Sequence, residues 1–260
     1  MATESYSSKA IVLRKTKLGE SDLILNLLAE DGSQLRVVAK GARKPSNTFA
    51  ARLDLYSIAE VHCSKGRNLD IVKEARLLCA NEKLRSDIGY AVGAAPMVEL
   101  LDKVAQRGLA NPRLFDMTSS AFACLGDVGL DTVPSLTAAH VLKTLAFAGL
   151  RPTFTTCAIC GSDISLEALG DTVRLSYPEG GVLCENCSQP MTGVLVQTEM
   201  CRWAKALLNS TFAQVSTYNL DPRSAFAVLE FCQTWIREHV GTSLKSLDFM
   251  FTSGLYTRKP

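Results

Sequence analysis

The sequence predicts an α+β, multi-domain chain: a five-stranded β-barrel at the N-terminus, then an α-helical domain carrying a four-cysteine, zinc ribbon-like insertion. Three observations carry this reading. Apolar residues recur with a strand period up to Leu78, the period changes to roughly 3.6 after Asn81, and two Cys-x-x-Cys pairs interrupt the helical pattern. With 260 residues, 47% of them hydrophobic, the chain can bury a core large enough for two or three domains.

The barrel comes first. Lys9 to Lys15, Asp22 to Ala29, Gln34 to Ala39, Tyr56 to Cys63 and Leu69 to Leu77 are rich in Val, Ile and Leu. Turn-formers separate them: Gly19, Asp31-Gly32, Gly41 with Pro45, and Gly66. Asp31-Gly32 predicts a tight hairpin, and Gly41 to Asp54 is the longest connection. These lengths fit an OB-type barrel, and an SH3-like barrel fits them too.

Helices are predicted through Ile88 to Val104, Leu114 to Leu125, Leu136 to Leu150, Glu199 to Leu208 and Asp221 to Val240. Asp221 is placed to cap the last of these, with Pro222 at its first position and Gly241 beyond its end. The expected divisions are 1–80 for the barrel, 81–150 and 193–245 for the helical domain, 151–192 for the cysteine module and 246–260 for a tail.

Cys157/Cys160 and Cys184/Cys187 have the spacing of four thiolates converging on one zinc ion. Gly161 follows the first pair, and Gly180 and Gly181 precede the second, as turns presenting N–H groups to sulfur require. The 23 intervening residues accommodate a hairpin, with Val173, Leu175 and Tyr177 alternating as a strand before a Pro178 to Gly181 turn. Redox chemistry explains one such pair better than two, and disulfides need an oxidising compartment. Four cysteines close the coordination shell and leave no place for an activated water, so the expected role is structural. Cys63, Cys79, Cys124, Cys201 and Cys232 lie in apolar sequence and read as small hydrophobes.

The net charge of +2 conceals an asymmetry: residues 1–80 carry 13 Lys/Arg against 9 Asp/Glu, and residues 81–260 carry 15 against 17. Arg14, Lys17, Arg36, Lys40, Arg43 and Lys44 form the candidate nucleic-acid surface. Arg36, Val38 and Lys40 share a strand face, and Gly41 to Pro45 carries the charge into a loop. On an OB barrel that face is where single strands lie. The plainer alternative is a solvated polar face. Tyr6, Phe49 and Tyr56 are the barrel's only aromatics, with Phe49 the stacking candidate or else a core residue. The cysteine module, with Arg151 and Arg174 against five acidic residues, is a poor phosphate clamp.

Catalytic signals are few. His62, His140 and His239 lack ligand spacing, and phosphate-loop, nucleophile-elbow and metalloprotease motifs are missing. Glu20/Asp22 and Glu30/Asp31 are the carboxylate pairs that a metal-dependent nuclease would use, beside turns that such pairs also cap. A protein-binding adaptor without DNA affinity is the other alternative. No run is long and apolar enough for a membrane span, MATESYSSKA lacks a signal-peptide core, and nine cysteines fit a reducing cytoplasm.

Lys9-Ala10-Ile11-Val12-Leu13, Leu18-Gly19-Glu20-Ser21-Asp22, Gly32, and Val38-Ala39-Lys40-Gly41-Ala42-Arg43-Lys44 resemble the opening of the RecO family of DNA repair proteins. Gly149-Leu150-Arg151-Pro152 before the first cysteine pair, Gly180-Gly181 before the second, and Leu244-Lys245-Ser246 are similar to its later landmarks. The resemblance spans about residues 8 to 250. It implies a non-enzymatic recombination mediator with an N-terminal OB-fold, a helical domain and a zinc module that some members lack. The implied activities are binding of single- and double-stranded DNA, annealing of complementary strands, and action with RecR to place RecA on DNA coated by single-stranded-DNA-binding protein (SSB). It leaves open a need for RecF and implies a nucleoid-associated location in the cytoplasm. The family's pocket for the acidic SSB tail is expected in the helical domain, without assigned residues.

Overall fold

In the computed structural model, residues 4–45, 47–188 and 193–256 are described. The chain divides into two compact units, Met1–Asp127 and Val128–Pro260.

Unit 1 opens with β1 (Ser5–Leu18), β2 (Asp22–Ala29) and β3 (Gln34–Ala39), then a single helical turn α1 (Phe49–Arg52), β4 (Ile58–Ser64) and β5 (Asp70–Cys79). The strands close into a barrel in the order β1-β2-β3-β5-β4, with β4 returning to β1. All pairings are antiparallel except β3 with β5, where Val37 and Val38 face Asp70 and Ile71. The crossover that sets β5 between β3 and β4, with β4 closing the barrel on β1, is the OB-type topology. Leu23, Leu25 and Leu27 alternate inward with Val37, Ala39, Val61 and Val72 to fill the barrel.

One strand, β1, far outruns the sequence reading. The 14 residues of β1 pair through Ser5–Ile11 with β4 and through Ala10–Leu18 with β2. A register shift between Val12 and Arg14 bends the strand from one pairing to the other. Its polar ends carry no apolar signal and are held by backbone pairing. The long connection after β3 contains α1, and Phe49 in it is partly buried against the barrel core.

The β2–β3 hairpin turns at Asp31-Gly32, as its sequence predicts. Gly32 has φ +79°, and a Cβ placed there would lie 1.8 Å from the Asn111 carbonyl oxygen. Glycine is required twice over, by conformation and by contact. Unit 1 continues with α2 (Lys83–Ser86), α3 (Ile88–Val104) and α4 (Pro112–Asp127). Tyr56 is buried, meets Phe122 of α4 edge-on at 5.8 Å and donates its hydroxyl to the Ala91 carbonyl.

In unit 2, α5 (Val133–Phe147) is buried on nearly every side, as a central helix is. Against it pack α6 (Thr198–Asn209), α7 (Phe212–Val215) and α8 (Pro222–Val240), and α9 (Lys245–Thr252) packs on α8. Asp221 caps α8 by accepting from the N–H groups of Arg223 and Ser224, and Gly241 ends it at φ +74°. Between α5 and α6 stands a three-stranded sheet of order β7-β6-β8, from β6 (Thr172–Ser176), β7 (Gly181–Val182) and β8 (Val194–Gln197). Phe154 and Tyr177, beside this sheet, each lie 5.8 Å from Phe231, and Tyr177 lies 6.1 Å from the buried Trp235, fastening the sheet to α8.

Candidate metal centre and nucleic-acid interface

The structure brings the four predicted cysteines together. The sulfurs of Cys157, Cys160, Cys184 and Cys187 lie within 4.8 Å of one another, with Cys160 and Cys184 at 3.6 Å. Four thiolates around a zinc-sized ion stand about 3.8 Å apart, given metal–sulfur bonds of about 2.3 Å, so this cluster can hold a metal. No disulfide links them. Two turns build the site. Gly161 at φ +74° donates its N–H to the Cys157 carbonyl, and the Cys187 N–H reaches the Cys184 carbonyl. Gly181 passes so close to Thr153 that an added Cβ would sit 2.3 Å from its carbonyl oxygen.

The electrostatics suit a cation. Burial opposes ionisation of Cys157, but N–H groups of Cys160, Cys184 and Ile159 donate to its sulfur and bring the thiol down to about 6. Ser162, which sequence reasoning passed over, donates to Cys184 and helps lower it. Cys187 goes the other way: crowded by Cys160 and Cys184, it resists becoming one more thiolate. A bound cation removes that penalty. Of the remaining cysteines, Cys63, Cys201 and Cys232 are buried as expected, and burial pushes Cys63 up to about 11 and Cys201 up to about 12. Cys124 is half-buried, and Cys79 is exposed at the end of β5, away from the buried class its sequence suggests.

The basic residues fall into three settings. Arg14 and Arg36 both register with Asn26, so the three cross β1, β2 and β3 as one row on the outer face. Asn26, a polar interruption in an otherwise apolar strand, was the overlooked signal. Asp102 of α3 accepts from the Asn26 amide at 2.6 Å and stands 3.6 Å from the Arg14 guanidinium, offsetting part of its charge. Lys40, expected on the strand, lies one residue past the end of β3, in the turn, and is exposed. Arg43 and Lys44 lie in the following loop, where the Arg43 guanidinium donates to the carbonyls of Gly19 at 3.2 Å and Glu20 at 2.9 Å. Its backbone N–H also reaches the Ser21 carbonyl, so Arg43 ties that loop to the β1–β2 turn.

Lys17 is different. It registers with Leu23, which registers with Ala39, and both are core residues. It therefore leaves the sheet on the side opposite Arg36, exposed because the hairpin projects past the barrel. At the base of the loop, Asp22 accepts from the Gly41 N–H at 2.7 Å and from Ser21. Those bonds, with Lys40 and Lys44 nearby, hold its carboxyl below the usual range.

The barrel aromatics pack inward, and one carboxylate of each pair, Asp22 and Asp31, is engaged in its turn. Tyr6 donates to Asp70 at 2.6 Å, Tyr56 is buried, and Asp31 accepts from Ser33 within its turn. Among the described residues, the four cysteines are the one His/Cys/Asp/Glu group spaced to hold a metal. Among the same residues, no helix is long and apolar enough to cross a membrane.

Two family models match in tandem: Recombination protein O N terminal over residues 1–80 and Recombination protein O C terminal over residues 85–248. This chain belongs to the RecO family. Among its relatives, the DNA repair protein RecO of Desulfitobacterium hafniense strain DSM 10664 / DCB-2 is 29% identical over 246 residues, covering 93% of this chain and 87% of the relative. That of Symbiobacterium thermophilum is 30% identical over 251 residues, covering 95% and 97%. That of Cutibacterium acnes is 32% identical over 194 residues, covering 72% and 76%. RecO membership gives the chain a role in DNA repair and recombination.

Proposed function

We propose that this protein is a recombination mediator without catalytic activity of its own. It binds single- and double-stranded DNA, anneals complementary strands, and works with RecR to load RecA onto SSB-coated single strands in the cytoplasm, at the nucleoid. RecF is a further candidate partner. The reading is supported chiefly by the Arg14–Asn26–Arg36 row, continued by Lys40, Arg43 and Lys44, on the outer face of a closed barrel in a RecO-family chain.

Annealing requires that two repelling phosphate backbones be neutralised while base edges stay free. A surface of arginines and lysines, with the barrel aromatics turned to the core, suits sequence-blind backbone binding. Lys17 joins from the projecting hairpin, and Arg14 contributes in competition with Asp102. The ion in the cysteine cluster is proposed to be zinc, held by Cys157, Cys160, Cys184 and Cys187 as a structural clip.

The test is a filter-binding titration with single-stranded DNA at two salt concentrations. Replacing Arg36, Lys40, Arg43 and Lys44 together by glutamine is expected to weaken binding and to flatten the salt slope by about 2 to 3 units, at roughly 0.7 per lost phosphate contact. Unchanged affinity and slope in a folded variant would sink the DNA-binding assignment and favour the adaptor reading.

A further inference from the structure

The outer face of the barrel is not open along its whole length, because α3 covers one end of it. The end of α3 and the connection behind it are fastened to the β2–β3 hairpin by backbone hydrogen bonds: the Gln34 N–H donates to the Gln106 carbonyl at 3.1 Å, and the Asn111 N–H to the Asp31 carbonyl at 2.7 Å. Asp102 is thereby set against the strands. Its Oδ1 accepts from the Asn26 amide at 2.6 Å and from the Gln34 amide at 3.1 Å, while its Oδ2 stands 3.6 Å from the Arg14 guanidinium. Gln34 lies two residues before Arg36 and on the same face of β3, so the carboxylate sits at the end of the basic row itself.

The two ion-pair partners differ in freedom. The Asp102 side chain is 9% exposed and anchored by two amides, whereas that of Arg14 is 61% exposed and joined to it by a contact longer than a hydrogen bond. A phosphate can draw the guanidinium away; the carboxylate cannot retreat without leaving two amide donors unpaired. Any phosphate that approaches Arg14 therefore meets a fixed negative charge already in place. We propose that Asp102 is an intramolecular competitor for DNA phosphate, which holds Arg14 in reserve and ends the DNA track at the Asn26 row. This role rests on the DNA-binding reading of the face given above and adds what limits its strength. Arg36, Lys40, Arg43 and Lys44 engage phosphate directly, and Arg14 joins only where phosphate displaces Asp102. A surface that pairs two strands must also release the duplex, and a competitor fixed beside it shortens the lifetime of each contact.

The experiment is fluorescence anisotropy of the full chain with a labelled oligothymidine, titrated at several salt concentrations. Asp102→Asn keeps an oxygen for the Asn26 and Gln34 amides and removes the charge that faces Arg14. It is expected to tighten binding about two- to fivefold, what one exposed ion pair supplies, and to steepen the salt slope by about 0.7, one further phosphate contact. Arg14→Gln alone should lose less affinity than Arg36→Gln, and it should erase the whole gain when added to Asp102→Asn. Glu74→Gln, which removes the same charge from an exposed position on β5, should gain less. Urea midpoints establish that each variant folds. If Asp102→Asn does not, Arg14→Gln against Arg36→Gln still decides, since both side chains are exposed. Unchanged or weaker binding by folded Asp102→Asn, a gain that survives Arg14→Gln, an equal gain from Glu74→Gln, or an Arg14→Gln loss as large as that of Arg36→Gln would each overturn the proposal. With salt-dependent binding in the parent, those results leave the DNA reading standing; a parent that binds no oligothymidine overturns both.

Discussion

Single residues set the limits of this fold, and Gly32 is the sharpest case. Its positive φ and the Asn111 carbonyl leave no room for a methyl group. Gly32→Ala is expected to cost about 2 to 4 kcal/mol, read as a lower urea midpoint, because strain and a backbone clash act together. A midpoint unchanged from the parent would mean that the hairpin rearranges without cost. The turn was legible in the sequence, since Asp-Gly between two apolar strands is a hairpin signal. The clash was not, because Asn111 lies 79 residues further along the chain. Arg43 teaches the same lesson. Its charge was plain in the sequence, but its hold on the Gly19 and Glu20 carbonyls exists only after the barrel brings two loops together.

At the scale of elements, what could be read was whatever local periodicity encodes. β2, β3 and α3 match their predicted spans, because each has a regular apolar pattern and clear stops. The ends of β1 were hidden because backbone pairing, not side-chain pattern, holds Ser5–Ser8 against β4. The four cysteines were readable as one cluster from their spacing, whereas the contribution of Ser162 depends on the turn that carries it. A metal held by the four cysteines would couple its binding to the local folding of the module. Cys184→Ser is expected to release the metal, seen by elemental analysis of the purified protein. It should also lower the unfolding temperature, with the loss starting in the β6–β7 region by hydrogen exchange. Full metal content in that variant would show that the cluster is not the binding site.

On the acid side, the stability of the whole molecule should fall with pH. In unit 2, burial first and Lys143 second push His140 down to about 3, with Phe212 stacked on its ring and Thr144 at 3.3 Å from Nδ1. Its folded value lies below the unfolded value of about 6.5, so the unfolded chain binds more protons between those limits. Stability is thus complete above pH about 6.5 and falls as the pH drops towards 3. Asp22 and Asp221 add to the acid side, since each is held below its usual value and loses its contribution as pH falls through the lowered one. Denaturant titrations across this range should show the decline, and His140→Gln should flatten its upper part near pH 5 to 6. A flat profile in the parent would contradict the buried, neutral histidine.

Closure of the barrel bears on crowding. A chain that works on DNA is concentrated along it, copy beside copy, where any strand with unpaired N–H and carbonyl groups invites a neighbour to add to it. With β4 paired back onto β1, every strand of the barrel has two partners, so copies whose basic faces bind nucleic acid as proposed could pack densely there without offering such a template. The sheet beside the cysteines is open, and β8 leaves Val194 and Leu195 exposed along its free side. If copies of this chain associate through their backbones, the edges of that sheet, β7 and β8, are the strands with a side left to offer among the described residues.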